Sequence, residues 1–89
     1  MISVEITIIN KLGLHARAAA KLVTLAAAYG SVIRIGYANR MVDSKSIMAV
    51  MMLAAAKGTV LQLQAEGNDE SAAIEAISDL INRRFDEEE

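Results

Sequence analysis

The chain contains no cysteine, no proline and no tryptophan, and its aromatic residues are one phenylalanine and two tyrosines. Without cysteine there is no disulfide framework, no thiol chemistry and no thiolate metal site. The single histidine, His15, removes the multi-histidine zinc arrangements as well, so neither a metal nor a cofactor is expected. Aromatics at 3% leave the interior to aliphatic side chains and alanine, which a hydrophobic content of 54% supplies amply. A basic excess is also missing. The net charge of -2 and a pI near 5.3 argue against nucleic acid as a partner, because nothing neutralises a run of phosphates. Long apolar runs are absent too: the longest, Ile47 to Ala56, falls well short of the roughly 18 residues that suggest a membrane span. Met1 to Ile6 alternates and has neither the charged start nor the apolar stretch of a signal peptide. These absences fit a soluble cytoplasmic protein with no membrane insertion.

Eighty-nine residues form one domain, with no room for two cores. Ile2, Val4, Ile6 and Ile8 alternate with polar residues, the period of a half-buried strand. From Ala16 to Tyr29, Ala16, Ala19, Ala20, Val23, Ala26 and Ala27 recur at helical spacing, with Gly30 placed to end the helix. Ile33, Ile35 and Tyr37 form a second strand. Ala38-Asn39 turns it into a short third strand over residues 40–43, with Asn39 suited to a left-handed position. Ser46 caps a helix running from Ile47 to about Ala56. Leu61, Leu63 and Ala65 define a fourth strand. A last helix, capped by Asn68 or Asp69, buries Ala73, Ile74, Ile77, Leu80 and Ile81 and carries Arg83 and Arg84 in its last turn. Asp86 to Glu89 reads as a solvated, frayed tail. The order β-α-β-β-α-β-α implies a sheet with helices packed on one face; the pairing of the strands is left open.

The chemistry centres on His15, which lies between a glycine-containing loop and a helix start. At the first helical turn, the unpaired amides of Ala16 and Arg17 and the positive end of the dipole favour an anion. Arg17 adds a planar guanidinium able to grip phosphate, and Gly13 permits close or unusual backbone geometry on the approach. A neutral imidazole can attack phosphorus. Spacing alone leaves a plainer reading open, in which the histidine is a surface or helix-end hydrogen-bonding group.

Gly13-Leu14-His15-Ala16-Arg17 and the alanine-rich helix after it resemble the active-site segment of the HPr family, phosphocarriers of the phosphoenolpyruvate-dependent phosphotransferase system. A second block, Lys45-Ser46-Ile47-Met48-Ala49-Val50-Met51, resembles that family's regulatory-serine segment, and Ala55-Ala56-Lys57-Gly58 continues the match. The resemblance covers nearly the whole chain. It implies an α+β open-faced β-sandwich: a four-stranded antiparallel sheet with three helices on one face. It further implies that His15 accepts a phosphoryl group from phosphorylated enzyme I on Nδ1 and passes it to IIA-type proteins, while Arg17 holds the group. Ser46 becomes the target of an HPr kinase/phosphorylase, and Ile47, Met48 and Met51 form an exposed patch that docks partners. On this reading the protein is a carrier within a relay and not an enzyme.

Departures from the family pattern are Ala18, where proline is usual after the arginine, and Ala49 and Ala54, where glycine is frequent. Two alternatives stand beside the phosphocarrier of sugar transport: a nitrogen-branch paralogue with the same histidine chemistry, and a non-catalytic regulatory domain that binds a metabolite.

Overall fold

A computed structural model describes residues 1–88. Four strands, β1 (Ile2–Thr7), β2 (Val32–Tyr37), β3 (Arg40–Asp43) and β4 (Val60–Glu66), alternate with three helices, α1 (Ala16–Ala27), α2 (Ile47–Met52) and α3 (Glu70–Asn82). The sheet order is β1-β4-β2-β3 with every pairing antiparallel. The expected α+β open-faced sandwich is therefore the observed fold.

Alternation within each strand decides which face the helices cover. Leu61, Leu63 and Ala65 of β4, with Ile33 and Ile35 of β2 and Ile6 of β1, point into the core. Leu63 lies opposite Val4 on one side and Ile35 on the other, at the centre of this layer. Across it pack Ala73, Ile74, Ile77, Leu80 and Ile81 of α3, the stripe that the periodicity predicts. Fully burying one such aliphatic side chain is worth about 1.5–3 kcal/mol.

Helix α1 turns inward a face that overlaps the expected one only at Ala19, Ala26 and, in part, Val23. Its buried residues are Ala18, Ala19, Leu22 and Ala26, whereas Ala16, Ala20 and Ala27 are exposed. Alanine fits either environment, so a run of six alanines in twelve residues blurs the stripe, and Leu22 is the better marker. The helix also ends at Ala27, before Gly30, its last turn closed by Ala28 and Tyr29 amides on Leu25 and Ala26 carbonyls. Helix α2 is shorter than expected, stopping at Met52, because Leu53 and Ala54 close a tighter turn onto Val50 and Met51. Ala54 then sits at φ 51, the left-handed region in which glycine is at ease. Its methyl group costs roughly 1 kcal/mol there.

The β2–β3 hairpin turns at Ala38-Asn39 as expected, with Tyr37 opposite Arg40. Asn39 is not left-handed, however. The close approach falls at Gly36, where a side-chain carbon would lie 2.2 Å from the Arg40 carbonyl oxygen.

Asp69 occupies the N-cap position of α3 but makes no cap bond. Its carboxylate instead accepts the Gly30 amide at 2.8 Å, the Ser31 amide at 3.0 Å and the Ser31 hydroxyl, joining the end of α1 to the start of α3. Several charge-assisted bonds across two segments outweigh one local cap. The Ser31 hydroxyl first, and then the Gly30 amide, hold the Asp69 carboxyl below its usual range, against a smaller opposing effect of burial.

A carboxyl depressed in the folded state contributes stability above its unfolded value, about 4, and loses that contribution as pH falls through the folded value. Asp69→Asn is therefore expected to lower stability at neutral pH, with the gap to the parent narrowing as pH drops below about 4. Denaturant unfolding at pH 7 and pH 3 measures both gaps, and an equal gap at the two values refutes the assignment.

Candidate functional site

The loop leading into α1 is built by its hydrogen bonds. Asn10, fully buried, donates from Nδ2 to the Gly13 carbonyl at 2.9 Å, and the Gly13 amide returns to the Asn10 carbonyl at 3.2 Å. Gly13 is left-handed (φ 67), and a side-chain carbon on it would lie 2.4 Å from the Ala55 carbonyl oxygen. That oxygen accepts the Leu14 amide at 2.9 Å, and Leu14 itself is buried. None of these anchors involves Ala18, which is buried inside α1. Alanine in place of the family's proline therefore leaves the loop's fastenings intact.

His15 emerges from this loop as the N-cap of α1 in extended conformation. Its Nδ1 accepts the Arg17 backbone amide at 3.3 Å, so Nδ1 faces the free amides of the first turn. Its Nε2 is held by Oε2 of Glu87, and the other oxygen of that carboxylate accepts Asn10 Nδ2 at 2.9 Å. His15 keeps 27% of its side-chain surface exposed and Glu87 15%. Burial pushes the Glu87 carboxyl up. Hydrogen bonds from Asn10 and His15, with attraction to His15 and Lys21, overcome that and hold it below its usual value, so it is ionised at neutral pH.

The acidic C-terminus is thus not the frayed tail expected from its charge. After α3 the chain passes through three consecutive left-handed residues, Arg84, Phe85 and Asp86 (φ 59, 54 and 64). This turn costs roughly 1–2 kcal/mol per residue. It is sustained by complete burial of Phe85, by Lys21 Nζ on the Phe85 carbonyl at 2.6 Å, and by Arg83 bridging Asp79 and Asp86. Glu89 lies outside the described residues. Between the tail and α1 lies a cleft of about 810 Å³, lined by Lys11, Arg17 and Lys21 and by Asp86, Glu87 and Glu88 together with His15. The helix N-terminus and the cations of this mixed rim are the groups that favour an anion there.

The other residues singled out from sequence lie on α2. Ser46 caps it, Oγ accepting the Ala49 amide at 3.3 Å. Ile47, Met48 and Met51 are exposed (39%, 69% and 39%), as are neighbouring Met52 and, on the His15 loop, Leu12; Val50 and Leu53 are buried. Helix α2 packs against α1. The structure thus joins His15 to Arg17 on one helix start and sets Ser46 with the apolar trio on the next. Sequence reasoning missed Asn10, Lys21 and Glu87. The one available signal was Phe85, the lone phenylalanine, which in a chain so poor in aromatics has good reason to be buried and to carry its neighbours with it. Among the described residues no helix is long and apolar enough to cross a membrane, and no group of three or more His, Cys, Asp or Glu side chains is placed to hold a metal.

Residues 2–83 match the family model described as the PTS HPr component phosphorylation site. The chain is 60% identical over 90 residues to "Phosphocarrier protein HPr" of Pseudomonas aeruginosa, covering 100% of both chains. It is 40% identical over 83 residues to "Phosphocarrier protein NPr" of Shewanella violacea, covering 93% of this chain and 91% of that one. Its backbone superposes on the crystal structure of HPr-C-His from Thermoanaerobacter tengcongensis with a TM-score of 0.95, at 47% identity and full coverage of both chains.

Proposed function

The chain belongs to the HPr family of phosphocarrier proteins, and on that premise we propose that it relays a phosphoryl group carried on Nδ1 of His15. The observation that carries this reading is the attitude of the imidazole. The Arg17 amide donates to Nδ1 at 3.3 Å, so the nitrogen that carries the lone pair is the one beside the helix N-terminus. In the accepting step that lone pair forms a bond to phosphorus while the bond from phosphorus to the donor breaks, the electron pair leaving with the donor. Amides of the first turn and the Arg17 guanidinium then meet the phosphoryl oxygens. The phosphoramidate keeps enough transfer potential to pass the group on, as a serine ester does not. The donor is phosphorylated enzyme I and the acceptors are IIA-type proteins, all in the cytoplasm.

Ser46 is the regulatory position, modified by an ATP-dependent HPr kinase/phosphorylase. A phosphate on its Oγ adds about 1.5–2 negative charges to a helix whose exposed face offers Ile47, Met48 and Met51 to partners. Methionines suit a surface that must fit several proteins in turn. A nitrogen-branch role has support in the 40% identity to an NPr, but the 60% identity to an HPr favours the HPr role.

Incubation with phosphoenolpyruvate and purified enzyme I should add one phosphoryl group, seen by intact mass and lost in acid. The adduct should vanish in His15→Ala; failure of every cognate enzyme I to form it removes the proposal. A kinase/phosphorylase with ATP should give an acid-stable adduct absent from Ser46→Ala, and modification at another residue overturns that assignment. Met48→Glu should slow transfer about tenfold or more with stability within roughly 0.5 kcal/mol of the parent, as for a surface change. An unchanged transfer rate excludes the patch.

A further inference from the structure

Sulfur in this chain is confined to five methionines, and three of them stand together. Met48, Met51 and Met52 recur at three- and four-residue spacing on α2, so their side chains share one side of the helix. All three are exposed, Met48 and Met52 the most, at 69% and 62%. Packing does not account for them: the core contacts of α2 fall to Val50, with buried Leu53 just beyond its end. Of the other two, Met41 is half-buried on β3 and Met1 is exposed beside the start of β1. A thioether in water is open to two-electron oxidants, and with no cysteine in the chain no thiol competes for them.

Resting on the phosphocarrier reading and its docking face, we propose that Met48 and Met52, with Met51 beside them, are sites of reversible oxidation to methionine sulfoxide by a peroxide, which turns that face away from its partners. In the forward step a lone pair of the thioether sulfur forms a bond to one peroxide oxygen while the oxygen–oxygen bond breaks. With hydrogen peroxide, the departing oxygen takes the proton of the transferred one and leaves as water. Sulfur loses two electrons and the peroxide gains them. In the reverse step a dithiol reductant supplies two electrons and two protons, becoming a disulfide, and the sulfoxide oxygen leaves as water. The sulfoxide is polar, so pressing it against an apolar partner surface buries an oxygen without a donor. None of the hydrogen bonds on the His15 ring comes from α2, so the modification weakens docking and leaves the chemistry of a docked pair alone. Because the same methionines serve several proteins in turn, one oxidation event acts on all of them.

Dilute hydrogen peroxide is the probe, followed by intact mass and peptide mapping. In the parent, Met48 and Met52 should gain oxygen alongside Met1, ahead of Met51 and well ahead of Met41. Transfer from enzyme I should then fall on the order of tenfold at low carrier concentration and recover as the carrier is raised to saturation, a raised KM with kcat kept. Methionine sulfoxide reductases for both epimers, with a dithiol, should restore mass and rate. A triple variant, Met48→Leu with Met51→Leu and Met52→Leu, is measured against its own untreated rate and should lose nothing to peroxide, although Met1 still oxidises. Circular dichroism of the oxidised parent should match that of the untreated protein. The proposal is overturned if Met41 reacts before Met48 and Met52, if transfer is unchanged once both carry oxygen, or if the fold is lost on oxidation. A rate that stays low after the sulfoxides are reduced, or a triple variant as sensitive as the parent, overturns it equally. If the untreated parent takes no phosphate from enzyme I, the phosphocarrier reading fails and the effect on docking falls with it. The map of oxidised residues then still upholds or refutes the modification sites.

Discussion

A backbone crossing governs where the site stands. The amide of Leu14 meets the carbonyl of Ala55 at 2.9 Å, at a point where Gly13 has no space for a side chain. Two stretches far apart in the chain, the approach to α1 and the exit from α2, are thereby locked together just before His15. The crossing follows from the sheet below it. β1 and β4 lie side by side, and the pairing continues past their ends through Ile8 with Gly58 and Thr59. The loops that leave those two strands must run over the same edge. Once they touch, the first turn of α1 has one direction to take, and its free amides open outward beneath the imidazole.

Electrostatics then refines what packing has placed. His15 stands between a donor on one nitrogen and an acceptor on the other, so each nitrogen has a separate task. The cleft around that ring is lined by cationic residues from the loop and α1 and by acidic ones from the C-terminal turn. Nδ1 is turned toward the amides at the start of α1, the positive end of the helix dipole. Nε2 is turned toward the carboxylate of Glu87.

Much of this architecture was legible in the residues, and the gaps have physical causes. Strands announce themselves through period-two patterns of branched aliphatics, and four of the five core positions of α3 stand out because isoleucine and leucine do not belong on a surface stripe. In α1 the period is blurred, since alanine is indifferent to burial and conceals which face is turned inward. Asp69 lies where a helix cap is expected, yet its bonds go to Ser31 and Gly30, contacts between residues nearly forty positions apart that no local pattern encodes. His15, Arg17 and Ser46 could be singled out because their surroundings resemble a known family over two separated blocks. Glu87 could not, because a charge run at a chain end looks the same whether it is solvated or folded back. Only burial of Phe85 distinguishes the two.

That folded-back end also settles how the protein can be handled. Glu88 already lines the cleft beside His15, so a group carried on it stands within reach of the histidine. The amino end opens at the far end of β1, roughly 20 Å of extended strand away. A label or a surface tether near Ile2 therefore stands clear of the cleft, while one placed beside Glu88 sits on its rim.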